Sequence, residues 1–178
     1  MSCFFSGIIQ HSLNRTHKNG ECSKEFNNYL YKINQIAIDQ KLTILMGGNI
    51  QSYVLKDIKD FIPINVQSSS KISTFLLTRS PEENTSDELF NEWECGAWKD
   101  TYKPGDEKVF KELQNFFEQT FALDEVEIIW ARYRCMHDCE VYKIQNLNKL
   151  EAEIYKQCSS SSTFEVSDFE IYMEKEKS

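Results

Sequence analysis

Hydrophobic residues recur along the chain at spacings that predict alternating strands and helices. Phe4, Phe5, Ile8 and Ile9 predict an opening strand. Ser23 is a favourable N-cap residue, and the apolar residues after it recur with helical spacing, so a first helix is expected there. The inward positions of this helix are Phe26, Tyr29, Leu30, Ile33, Ile36 and Ala37.

A second strand, a second helix and a third strand are predicted next. Leu42 to Met46 is a short apolar run that ends at two glycines, as expected of a strand. We expect Asn49 to cap a helix that stops at Pro63, because Asn favours caps and proline ends helices. A polar serine-rich loop then leads to a strand at Ile72 to Thr78. The inward positions expected for the second helix are Ile50, Tyr53, Val54, Ile58 and Phe61.

Two further helices are predicted in the middle of the chain. The first lies in the segment Ser80 to Asp100, SPEENTSDELFNEWECGAWKD, where Thr85 and Glu88 have the spacing of a capping box. Pro104 and Gly105 separate it from the next helix. The apolar face of that next helix contains Val109, Phe110, Leu113, Phe116, Phe117 and Phe121.

The last third of the chain is predicted to contain more strands than helices. Val126 to Tyr133 and Cys139 to Ile144 look like two paired strands joined by a tight connection. A helix over Leu147 to Gln157 and a closing strand or hairpin over Thr163 to Met173 follow. Because paired late strands argue against a parallel sheet, we expect the α+β class, with a mixed or antiparallel sheet and about five helices.

Composition favours one folded domain, residues 1–178. Hydrophobic residues make up 40% of the chain and aromatic residues 13%, which is enough apolar surface to build a core. The net charge is −8, and no run of basic residues is longer than two. Such a chain repels phosphate, so we expect no direct binding to nucleic acid or to an anionic membrane. A basic protein is the partner that suits this charge.

The N-terminal stretch MSCFFSGIIQHSLNR lacks the basic region of a signal peptide. No segment approaches the ~20 apolar residues that span a bilayer. We therefore expect a cytoplasmic protein whose six cysteines remain thiols.

The pentapeptide CMHDC is the candidate for metal or thiol chemistry. Cys135, His137 and Cys139 offer thiolate and imidazole groups that zinc prefers, and Cys158 is available as a fourth ligand. The C-x3-C spacing is looser than the usual C-x2-C, and buried structural cysteines are the alternative. The standard motifs of nucleotide-binding proteins, metalloproteases and serine hydrolases are absent, so we expect no enzyme and no cofactor.

The two N-terminal histidines do not suggest a catalytic site. His11 and His17 lie in a polar segment, with a spacing that suits neither a helix nor a strand. We expect both side chains on the surface.

The acidic segment is the candidate partner-binding site. Six carboxylates occur from Glu82 to Glu94 without one Lys or Arg, and two of them suit the positive end of the predicted helix. The charges of Glu92 and Glu94 are not explained in this way, and Trp98 is expected outside the inward stripe. Acidic residues around an exposed aromatic have the composition of a hot spot for a basic protein. The candidate contacts are Glu88, Glu92, Glu94 and Trp98; the alternative is a solvated helix.

A small acidic chain with an aromatic core and no catalytic constellation resembles the immunity proteins of bacterial toxin–immunity pairs, such as those of contact-dependent growth inhibition. The resemblance rests on whole-chain character. It implies a cytoplasmic inhibitor that neutralises a basic toxin, a nuclease, by occluding its active site, with a Kd on the order of 1 nM or below. A zinc- or thiol-dependent enzyme using Cys135, His137 and Cys139, and an acidic regulatory adaptor, remain open alternatives.

Overall fold

The computed structural model describes one sheet with helices packed on both of its faces. The described residues are 4–14, 20, 22–60, 62–79, 107–134, 142–144 and 169–176. The strands are β1 (Phe4–His11), β2 (Leu42–Met46), β3 (Ile72–Arg79), β4 (Val126–Arg134), β5 (Tyr142–Ile144) and β6 (Phe169–Glu174). The helices are α1 (Lys24–Asp39), α2 (Gly48–Ile58), α3 (Ile64–Gln67) and α4 (Glu107–Phe121).

The six strands lie in the order β2-β3-β1-β4-β6-β5. Neighbouring strands are antiparallel except β5 and β6, which are parallel, so the sheet is mixed. The prediction of an α+β class is confirmed. Four helices fall within the described ranges; two of the five expected, in the acidic segment and at 147–157, lie outside them.

One face of the sheet, called here the helix-pair face, packs against α1 and α4. Helix α1 begins as predicted, because the Ser23 hydroxyl accepts a hydrogen bond from the backbone N–H of Phe26 at 3.1 Å. Its buried side and that of α4 meet aliphatic and aromatic side chains of the inner strands. This core includes Phe5, Ile9, Tyr29, Ile33, Ala37, Ile44, Phe75, Leu77, Leu113, Phe116, Phe117 and Ile129.

The opposite face, called here the α2 face, packs against α2. Val54 and Ile58 are fully buried against Ile8 of β1 and Ile72 of β3, with Ile62 closing the cluster. This second core is smaller than the first. A helix therefore covers each face of β1 and β3, whose apolar side chains point alternately to the two sides.

The prediction for α2 was wrong in three details. Gly47, not Asn49, is the N-cap; its φ of +117° is a conformation that favours glycine, and the helix begins two residues earlier than predicted. Tyr53 is half-exposed, because only one side of α2 meets the sheet. The helix ends at Ile58, well before Pro63, and α3 forms within the predicted loop.

The predicted pairing of the two late strands was also wrong. The partner of β4 on this side is β6, and β5 pairs only with β6 among the described strands. The register between β4 and β6 extends over six residue pairs, from Ile128 to Tyr133, whereas β5 offers three residues. The longer ladder buries more backbone and side-chain surface, so β6 occupies the position beside β4.

His11 does not lie on the surface, contrary to the prediction. It is the last residue of β1 and is fully buried, with its ring 5.3 Å from that of Phe26 and 5.2 Å from that of Tyr29. Its backbone N–H donates to the carbonyl oxygen of Lys71. The strand runs past the apolar residues that predicted it, and α1 covers its end. His17 lies outside the described residues.

An ion pair at the surface ties α1 to the start of β4. The ammonium group of Lys32 lies 2.7 Å from a carboxylate oxygen of Glu125. Mainly because of this hydrogen bond, the pKa of Glu125 lies below its ordinary value. A carboxyl with a lowered folded-state pKa stabilises the fold above its unfolded pKa, and this contribution is lost as pH falls through the folded value.

Replacing Lys32 with Met should therefore lower the free energy of unfolding at neutral pH by about 0.5 kcal/mol, since the pair is partly exposed to solvent. The difference from the wild type should shrink as the pH falls below the ordinary pKa of a carboxyl. Urea unfolding between about pH 3 and about pH 7, a range that spans the ordinary pKa of a glutamate, would measure it. Lys111→Met, which removes an exposed lysine of α4, is the control; an equal loss in both variants would contradict the assignment.

The most crowded point of the sheet is Gly7 of β1. A Cβ added there would lie 2.2 Å from the carbonyl oxygen of Trp130 and 2.7 Å from the ring of Phe75. The first of these is backbone, so it cannot rotate away. Glycine is the residue that allows this approach.

Gly7→Ala should lower the free energy of unfolding by about 3 kcal/mol or more, because two strands must separate to admit one methyl group. Gly48→Ala is the matched control, since an added Cβ there meets nothing within 4 Å. It should be neutral or stabilise the protein by about 0.5 kcal/mol. Similar denaturation midpoints for the two variants would show that the sheet relaxes around Gly7.

Candidate functional site

The segments that carry the sequence-predicted sites all join the sheet at the same end. The strand register places Phe4 opposite Arg134, Leu42 opposite Arg79, and Phe169 opposite both Tyr133 and Tyr142. We call this end of the sheet the Phe4 end. At the Phe4 end, residues 80–106 follow the last residue of β3, and residues 135–141 follow the last residue of β4. Residues 145–168 lead back to the same end, where β6 begins.

The candidate residues themselves lie outside the described residues. This applies to the acidic set Glu88, Glu92, Glu94 and Trp98, and equally to Cys135, His137 and Cys139. Both predictions stay predictions. The fold shows the strands from which the two candidate segments continue. Arg79, the last residue of β3, precedes the acidic segment, and Arg134, the last residue of β4, directly precedes Cys135.

Close to the Phe4 end, a row of residues crosses all six strands on the α2 face. By register, this row consists of Leu45 of β2, Leu76 of β3, Ser6 of β1, Arg132 of β4, Glu170 of β6 and Lys143 of β5. The row is apolar on β2 and β3 and becomes polar on β1, β4 and β6. Residues directly opposite each other on neighbouring strands are about 4.5–5.5 Å apart, so Arg132 lies within reach of Ser6 and Glu170.

Helix α2 adds a fourth polar residue to the centre of this row. The guanidinium group of Arg132 donates a hydrogen bond to the carbonyl oxygen of Asp57 at 3.2 Å. The side chain of Asp57 is buried, as are those of Ser6 and Glu170. We call Ser6, Asp57, Arg132 and Glu170 the polar cluster.

The polar cluster joins α2 to β4 through the hydrogen bond from Arg132 to the backbone carbonyl of Asp57. Burying a carboxylate is costly unless it is paired or hydrogen-bonded, and here two buried acidic residues, Asp57 and Glu170, neighbour Arg132. Arginine suits this position because its planar group donates in several directions at once. The arrangement lies near the end of β4, from which residues 135–141 continue.

Beside the polar cluster, two aromatic rings and an exposed carboxylate form a second polar feature of the α2 face. The rings of Trp130 and Tyr172 lie 5.4 Å apart, and both are half-buried. The Tyr172 hydroxyl donates a hydrogen bond to the exposed carboxylate of Glu174, and this bond raises the pKa of Tyr172 to about 12. A half-buried aromatic pair next to a carboxylate is suited to contact a cationic side chain.

Sequence reasoning missed the polar cluster, although part of its signal was available. Asp57 lies three residues after Val54 and therefore falls on the inward side of α2 among apolar residues. A carboxylate at such a position indicates a buried polar partner. The partner itself, Arg132, lies 75 residues away along the chain and could not be identified from spacing.

No metal site of the usual kind is present in the part of the chain that the structure describes, since no three His, Cys, Asp or Glu residues there could hold an ion together. None of the helices described is both long and apolar enough to cross a membrane. The chain matches no protein-family model, no curated protein and no solved structure. The proposed function therefore rests on the chain's own charges and geometry.

Replacing Arg132 with Leu should lower the free energy of unfolding by about 3 kcal/mol, because the Asp57 carbonyl would lose its donor and the buried Asp57 and Glu170 would lose the neighbouring cation. Arg132→Lys keeps the charge but not the planar group, and we expect a loss of about half that size. Denaturant unfolding of the two variants measures both values. An Arg132→Leu variant as stable as the wild type would show that the polar cluster contributes no net stability.

Proposed function

We propose that this chain is an acidic inhibitor that binds and neutralises a basic toxin, a nuclease, by occluding its active site. The observation that carries the proposal is the concentration of negative charge in residues 80–106. The inhibitor would act in the cytoplasm, where such a toxin meets nucleic acid.

The acidic surplus is unevenly distributed along the chain, whose net charge is −8. Residues 80–106 alone contain eight Asp and Glu against two Lys and Arg. If the acidity served only solubility, we would expect it to be spread over the whole surface.

The anchoring of residues 80–106 supports a role in binding. β3 precedes the segment and α4 follows it, and both elements contribute side chains to the core of the helix-pair face. The segment is therefore tethered at both of its ends to elements of the fold. Less freedom is then lost on association than for a free tail, which favours tight binding.

The chemistry of the segment suits a nuclease. A nuclease that holds RNA or DNA presents cationic side chains at its active site, and carboxylates placed there occupy the positions of phosphates. Opposite charges also speed the encounter, which matters when a toxin must be intercepted before it cuts. Trp98 would supply the aromatic centre that tight interfaces need in addition to charge.

The test replaces Glu88, Glu92 and Glu94 together with Gln. Tagged wild-type protein would first capture the basic protein from the cells that produce the chain, and that protein would be tested for toxicity when expressed alone. We expect the triple variant to associate with it at least about tenfold more slowly at low ionic strength. The difference should narrow as added salt screens the charges.

A matched control removes the same amount of charge from described residues outside the acidic segment. Asp60, Asp124 and Glu176 are exposed and belong to three different regions of the described structure. Asp60→Asn, Asp124→Asn and Glu176→Gln together should change the association rate far less. Equal losses in the two triple variants would mean that only net charge matters. Capture of a harmless host protein would instead favour a regulatory adaptor.

A further inference from the structure

The aromatic pair on the α2 face lies at the margin of the core that α2 builds. Trp130 packs against the apolar cluster of that core. Tyr172 lies opposite Trp130 on β6, one strand farther from the cluster. Both rings are half-buried, and the carboxylate of Glu174, which follows on the same face, is exposed. We call Trp130, Tyr172 and Glu174 the aromatic corner.

The two rings of the aromatic corner retain surface that can meet a further group. Their planes are tilted by 49° at a centroid separation of 5.4 Å, so neither ring lies flat on the other. The faces of indole and phenol rings carry partial negative charge, and a cation within about 6 Å of a ring centroid is attracted to them. The aromatic corner therefore offers an apolar surface that favours positive charge.

The carboxylate beside the rings is positioned by one of them. The Tyr172 hydroxyl donates a hydrogen bond to Glu174, which fixes the carboxylate next to the phenol ring. Lys175, the next residue, is engaged elsewhere. Its ammonium group donates to the carbonyl oxygen of Leu123 at 2.6 Å and lies 5.5 Å from the centre of the Phe121 ring. The charge of Glu174 is thus not matched by the lysine beside it.

A second exposed carboxylate lies at the same end of the sheet. Glu127 directly precedes Ile128, the residue of β4 that lies opposite Glu174. Its carboxylate accepts a hydrogen bond from the side-chain amide of Gln10 at 3.3 Å, and an amide does not neutralise the charge. Arg132, farther along β4, donates to a backbone carbonyl of α2 instead. These carboxylates repel an anion and make the aromatic corner complementary to a cation.

We propose that the aromatic corner binds an arginine side chain of a basic protein. A guanidinium group is planar, so it can stack on a ring and donate two hydrogen bonds to a carboxylate at the same time. A lysine ammonium is a more strongly hydrated point charge and cannot do both. The rings and the carboxylate of Glu174 together meet the two requirements of a guanidinium group.

This inference deepens the proposed function, on which the class of partner rests, by adding a second contact for the basic protein. Trp130 precedes Arg134, at the Phe4 end of the sheet, by four residues of β4, which is about 13 Å along the strand. A protein interface of standard size, about 800 Å² on each side, spans this distance. One basic partner can therefore contact both the aromatic corner and the Phe4 end.

The test uses the intact chain, with ethylguanidinium as the probe at constant ionic strength. The indole N–H signal of Trp130, assigned by its loss in Trp130→Phe, is followed by NMR. We expect a saturable shift, and at least about threefold weaker binding in Glu174→Gln, which removes the charge and keeps the shape. Tyr172→Leu, which removes one ring, should weaken binding as well. Glu25→Gln is the matched control at an exposed glutamate of α1, on the opposite face of the sheet, and should change nothing.

Two further probes separate charge from shape. N-ethylurea has nearly the same size without the charge, and ethylammonium has the charge without the planar group. Each should bind at least about threefold more weakly than ethylguanidinium. An equal response to N-ethylurea, or a response that Glu174→Gln leaves unchanged, overturns the inference, and equal binding of ethylammonium overturns the assignment to arginine. No toxin is present in this experiment, so its failure is distinct from a failure of the proposed function.

Discussion

The close approach of β1 to its two neighbours at Gly7 is the constraint on which the rest of this structure depends. The ring of Phe75 occupies the space of a missing side chain, and the carbonyl oxygen of Trp130 lies against the same position. This contact lets a large aromatic residue lie flat in the core beneath α1 and α4. Since β1 is paired on both sides, its position fixes β3 and β4, and through them the faces on which α1, α2 and α4 pack.

The two faces of the sheet are stabilised in different ways. The helix-pair face is a large apolar core, whereas the smaller α2 face combines an apolar patch with the polar cluster around Arg132. Buried charges are selective about their partners, so the polar cluster fixes α2 against β4 more specifically than aliphatic contacts alone. The polar cluster lies near the end of β4, from which residues 135–141 continue.

Charge is distributed unevenly along this chain. Residues 80–106 contain eight Asp and Glu against two Lys and Arg, whereas β2 contains no charged residue. The proposed partner, a basic protein, is matched to the first of these two segments.

The sequence by itself determined the charge and most of the described strands and helices; the tertiary structure decided which of them meet. The sequence predicted the N-cap Ser23 and the buried side of α1, as well as the apolar runs of β1 to β4. These predictions were possible because helical and strand periodicities are local. The acidic candidate site is likewise a property of composition. The burial of His11, the exposure of Tyr53 and the place of β6 beside β4 were not predictable in this way. Each depends on pairing between distant parts of the chain, and spacing along the sequence does not specify which distant residues become neighbours.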